Sequence, residues 1–248
     1  FSVSLLVGVR ILTGTTINTQ STLAGGGNAL TITGAADIDG AFGGITNLSV
    51  SGTSNIGANV TTSGTQTYAG AVTLSGGDRT LTGTSINTQS TLAGGGNALT
   101  ITGTADIDGA LSGITNLSIS GASNIGANVT TTGVQTYAGA VTMSGGDRTL
   151  TGVTINTQST LDGGTSALVI TGAADIDDVF SGITNLSVSG ASNIGANITT
   201  TGIQTYAGAV TLSGGDRTLT GTSINTQSTL AGGGNALTIT GAADIDGA

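Results

Sequence analysis

The chain has 248 residues, with 45 Gly, no Pro, Cys, Trp or His, only 7% charged and 2% aromatic residues, and a formal net charge of -9. Every acid is Asp and every base is Arg, so the strong helix formers Glu and Lys are missing, while a hydrophobic content of 37% excludes a disordered chain; the composition selects β structure. Scattered Asp without clustered Lys or Arg excludes nucleic acid as a partner, and no apolar run reaches the length of a membrane span.

In chain order, the opening FSVSLLVGVR lacks the basic start and small-residue cleavage site of a signal peptide, so any export signal is expected outside this stretch. It is also degenerate, because Val7 and Val9 stand where the next copy has Gly76 and Asp78. The segment QTYAGAV then begins at Gln66, Gln135 and Gln204, a period of 69 residues. Residues 66–134 and 135–203 are complete copies, and 1–65 and 204–248 are partial ones, so 1–248 reads as a single continuous fragment of one repeat array.

Weaker sub-repeats lie inside each copy: AVTLSG at 71–76, ALTITG at 98–103 and NLSISG at 116–121, spaced 27, 18 and 24 residues apart to the next AVTMSG. Their average of 23 is close to three short strands plus turns, one coil of a parallel β-helix. The expected fold is therefore all-β, a right-handed parallel β-helix or β-solenoid with about 23 residues per coil and three coils per 69-residue copy. Aliphatics at i and i+2 share a strand face, which points Val72, Leu74, Leu99, Ile101, Leu117 and Ile119 inward and the Thr and Ser between them outward. Leu81, Ile86, Leu92, Ile107, Ile114, Ile125 and Val129 join the interior, and Gly76, Gly83, Gly103 and Gly121 are expected at corners. A string of small antiparallel sandwiches is the other architecture, but it calls for aromatic anchors and Pro-containing turns that this chain lacks.

The charged motif ADID pairs Asp37 with Asp39, Asp106 with Asp108, Asp175 with Asp177 and Asp244 with Asp246, followed by Gly in three copies and by Asp178 in the third. Two Asp at i and i+2 on a strand face the same side, which makes all eight candidate Ca2+ ligands; solvated outward Asp is the plainer reading, since the glycine-rich calcium nonapeptide is missing. The GGDR motif (Asp78 with Arg79, Asp147 with Arg148, Asp216 with Arg217) reads as a tight turn whose charges stay in water. Tyr68, Tyr137 and Tyr206 recur in register and are expected half-buried rather than as a binding stripe. Asn55, Asn124 and Asn193, with Asn59, Asn128 and Asn197, suit left-handed turn positions and hydrogen bonding along corners. Without His, Cys, Lys or Glu, and with every candidate group repeated once per copy, no catalytic residue and no cofactor is assigned and the chain is not read as an enzyme.

At QTYAGAVTLSGGDRTLTGTSINTQSTLAGGGNALTITG, residues 66–103, and with a likeness that spans essentially the whole chain, the sequence resembles the repeat regions of filamentous-haemagglutinin-like exoproteins and large autotransporter adhesins of Gram-negative bacteria. The resemblance implies a long right-handed β-helix exported to the bacterial surface or beyond, serving adhesion, aggregation, biofilm or matrix. The function expected is thus the structural stalk of a secreted or cell-surface protein, whose partners are neighbouring repeats, like subunits, or a surface polysaccharide. A subunit of an extracellular filament built by stacking solenoids is the second expectation. Ice or crystal-surface binding through flat Thr arrays is a third, weakened by the uneven spacing of the Thr-bearing segments along the sequence.

Overall fold

A computed structural model describes residues 3–4 and 8–246, in two compact units, Phe1–Gly121 and Ala122–Ala248. Val7 of the degenerate start lies outside the described residues, and Val9 is exposed. Among the described residues every regular element is a strand, and every strand pair within either unit is parallel. Both units are β-solenoids, as the alternation of aliphatic and hydroxyl residues predicts.

In the first unit the strands stack into three columns. One runs inward through Leu30, Leu48, Gln66, Ile86 and Ala105. The second runs through Ala36, Ser54, Val72, Leu92 and Leu111. The third runs through Leu23, Phe42, Val60, Leu81, Ile101 and Ile119. All these side chains are buried, and every aliphatic assigned inward from the sequence has 3% exposure or less. Each is worth about 1.5–3 kcal/mol of transfer free energy, gained only when the turn above and the turn below both cover it.

The second unit repeats this plan. Its columns run through Ser123, Val141, Leu161, Phe180, Ile198 and Leu219; through Gln135, Ile155, Ala174, Ser192 and Val210; and through Val129, Leu150, Ile170, Val188 and Tyr206.

The turn is tighter than the sub-repeat average of 23 residues. Paired residues lie 17 to 21 apart, as in Asn28 with Ile45 and Val60 with Leu81. Five steps from Arg10 to Ala105 cover 95 residues, or 19 per turn. The sub-repeats mark rungs on different faces, not full coils: Leu99 pairs with Leu117, one turn on, whereas Val72 pairs with Leu92, and Leu99 lies on the next face. The 27-residue spacing is one turn plus one side of the triangle. The copy 135–203 therefore holds eleven rungs: one each in Val134–Tyr137 and Val141–Met143, two in Arg148–Thr157, three in Leu161–Ile176, two in Phe180–Val188, and one each in Ser192–Ile194 and Ile198–Thr200. At three rungs per turn, eleven rungs make three and two-thirds turns in place of the three expected.

Corners are closed by stacked glycines. At Gly172, φ is +132° and a Cβ would lie 1.9 Å from the carbonyl oxygen of Gly152 one turn earlier; only hydrogen fits there. Gly103 over Gly83 repeats this contact in the first unit. Pro is excluded by the same ladders, whose N–H groups are used turn after turn.

Candidate functional site

The three tyrosines are not half-buried but wholly enclosed, at 0% exposure, and each belongs to a polar cluster inside the solenoid. Tyr137 Oη donates to Gln135 Oε1 at 2.9 Å, and Gln135 Nε2 donates to the carbonyls of Thr151 at 2.7 Å and Val129 at 3.2 Å, with Thr131 Oγ1 at 3.4 Å. Thr131 in turn donates to Gly133 O at 3.0 Å. The clusters of Gln66 with Tyr68 and Gln204 with Tyr206 repeat the pattern. Burial raises the pKa of all three phenols far above the ordinary value. The buried glutamines were not anticipated, although a signal was present: Gln and Tyr two apart in QTY share a strand face, so an inward Tyr brings its Gln inward.

Outside, the first Asp of each ADID motif stands in a ladder with asparagines. Asp37 accepts from Asn18 Nδ2 at 2.8 Å on Oδ2 and from Asn55 Nδ2 at 2.8 Å on Oδ1, and Thr73 Oγ1 lies 3.3 Å from Asn55 Oδ1. Asp175 accepts from Asn193 Nδ2 at 2.8 Å, and Asp106 from Asn87 Nδ2 at 3.1 Å. Asp244 occupies the same place, in register with Asn225. The second Asp of each motif, at Asp39, Asp108, Asp177 and Asp246, is exposed; its backbone N–H donates to the Thr carbonyl one turn earlier, as from Asp39 to Thr19 at 3.0 Å. Desolvation, and then the charge of Asp175, raise the pKa of Asp177. Copies are not brought together. In the first unit Asp37 stacks with Asn18 and Asn55, whereas Asp106 stacks with Asn87, itself stacked on Thr67, on another face. Among the described residues no group of three or more acidic side chains is placed to hold a metal ion.

The GGDR corner does more than turn. Asp147 Oδ1 accepts the backbone N–H of Ala167 on the following turn at 2.8 Å, and Asp78 and Asp216 do the same for Ala98 and Ala236. Arg79 folds back onto its own corner, with Nε 2.9 Å from Ser75 O and Nη1 3.0 Å from Asp78 O; Arg148 likewise reaches Ser144 O. The three aspartates stay exposed, as expected, and in addition close the chain's own backbone. The asparagines also bond along corners: Asn59, Asn128 and Asn197 accept from the N–H of Thr80, Thr149 and Thr218 at 2.8–3.0 Å. They do so without left-handed backbone, since Thr165 is the one non-glycine residue with positive φ among the described residues.

The described surface includes shallow troughs and stacked rows of hydroxyls. A shallow groove of about 440 Å3 runs over Ala35, Thr53 and Ala71 beside Asp37, Asn55 and Thr73, and its counterpart of about 360 Å3 lies over Ala173, Ala191 and Ala209 beside Asp175, Asn193 and Thr211 in the second unit. Small side chains above each corner leave these troughs, whose acids already accept amide hydrogens. The Thr segments that look unevenly spaced along the sequence do stack: Thr80 and Thr82 pair with Thr100 and Thr102, and Thr100 with Ser118. The corresponding hydroxyls of the preceding copy, Thr31 over Ser49, lie on a different face of the first unit. No protein-family model, no curated protein and no solved structure matches this chain.

Proposed function

We propose that this chain is part of the stalk of a secreted or cell-surface bacterial protein of the adhesin kind, whose work is to hold what it carries away from the cell in adhesion, aggregation, biofilm or matrix. One observation supports the reading above others. Six kinds of side chain with chemistry to offer, represented by Asp37, Asn59, Asp78, Arg79, Gln66 and Tyr68, are engaged in fastening backbone and side chains of the solenoid to one another. A scaffold spends its polar groups in this way, whereas a catalytic site holds them free for a substrate. The extracellular location proposed rests on the resemblance of the repeats alone.

Antibody raised against the folded chain, applied to intact and permeabilised cells of the source, tests the reading. Labelling of intact cells that is lost after protease shaving is expected; labelling only after permeabilisation would sink it. Electron microscopy of the purified chain at rising concentration separates the stalk from the filament subunit, because only the latter lengthens with concentration.

A further inference from the structure

The mismatch between copy and turn has a mechanical meaning. Eleven rungs at three per turn carry the chain two-thirds of a turn beyond a whole number, so each segment of one copy recurs on a different face in the next. In the second unit Asp175 stacks with Asn156 and Asn193, while Asp244 stacks with Asn225, itself stacked on Thr205, in another column. Like segments are thereby kept from stacking on like. Every pairing nevertheless joins residues 17 to 21 apart, well inside one 69-residue copy, so each rung finds its partners from local sequence alone.

We propose that the 69-residue copy is a phase-shifting length module: a whole copy can be lost or gained with every ladder kept, and each such change turns all that follows by one face of the triangle. The change in length is about 18 Å, three and two-thirds turns at about 4.8 Å per turn, and three copies restore the original face. In a stalk, repeat number would then set both how far and in which direction a carried element is presented. That use rests on the function proposed above, but the module itself does not, and it is tested on the purified chain.

The test removes residues 135–203, joining Val134 to Gln204, and places cysteines by Thr130→Cys and Thr220→Cys. In the intact chain Thr130 pairs with Thr151, and Thr220 pairs with Thr199 in a different column. Thr130 is the counterpart of Thr199 one copy earlier, so excision of the copy makes Thr130 and Thr220 direct neighbours on adjacent turns. Their Cα atoms would stand about 4.8 Å apart, inside the range of about 4.4–6.8 Å that a disulfide accepts. The expected result is a shortened chain with unchanged β circular dichroism per residue that cross-links within itself under mild oxidation, beside an intact chain with the same cysteines that does not. A shortened chain that loses its β signal, or that keeps it without forming the disulfide, overturns the proposal. Failure of the surface-labelling experiment would leave this outcome untouched, so the two readings fall separately.

Discussion

Replacing Gln135 by Leu keeps the volume of the side chain and removes its hydrogen bonds. The substitution strands the Tyr137 hydroxyl, whose partner at 2.9 Å is Gln135 Oε1, and takes a donor from the Thr151 carbonyl at 2.7 Å. A buried polar group left without its partner costs about 1–3 kcal/mol, and the lost bond to Thr151 adds about 1, so the local cost is roughly 2–4 kcal/mol. Converted at about 1.4 kcal/mol per tenfold, the amides of residues 135–157 should exchange with deuterium roughly 30- to 700-fold faster. The unaltered clusters around Gln66 and Gln204 serve as controls in the same molecule. Adding Tyr137→Phe to Gln135→Leu removes the stranded hydroxyl and should recover about half of the lost protection. The reasoning is refuted if the double variant is no better protected than Gln135→Leu alone, because the cost would then lie in packing and not in the unpaired phenol.

Further outcomes follow from the same geometry. The buried phenols have raised pKa values, so the native state favours the neutral form: its contribution is complete below the unfolded pKa near 10 and is lost as pH rises towards the folded one. Absorbance at 295 nm should show no phenolate before the β circular dichroism collapses in alkali, and a separate, earlier titration would contradict the enclosure. Asp177 also has a raised pKa, from partial burial and Asp175, so its ionisation opposes folding. Asp177→Asn should raise the thermal midpoint at pH 7 and lose that advantage as pH falls below the carboxylate range; equal effects at both pH values would count against the charge argument. Gly172→Ala sets a Cβ 1.9 Å from Gly152 O, whereas Gly146→Ala, at φ +111°, meets nothing within 4 Å. Backbone strain of about 1–3 kcal/mol applies to both, so a much larger loss of urea resistance is expected for Gly172→Ala, and parity would argue against the stacked corner.

The alternation of Val, Ile and Leu with Thr and Ser, together with the 69-residue period, determined that the chain folds as stacked parallel strands and which aliphatics point inward, because strand alternation is a local property of the backbone. The coil length escaped the sequence, since motifs such as AVTLSG and ALTITG look alike on any face and their 27-residue spacing does not say that one side of the triangle has been added to a turn. The role of Asp78 was hidden for a related reason: its partner, the N–H of Ala98, lies 20 residues on and becomes its neighbour only through the register. Tyr68 and Gln66 show the same division, for their shared face is legible in QTY, but whether that face meets water or Thr82 of the following turn depends on how turns stack. Strands, inward positions and the repeat are local features, legible in the chain itself. Which rung lies over which, and hence which polar groups meet, was decided by the tertiary structure, because a solenoid's contacts are set by the length of its turn and not by the period of its sequence.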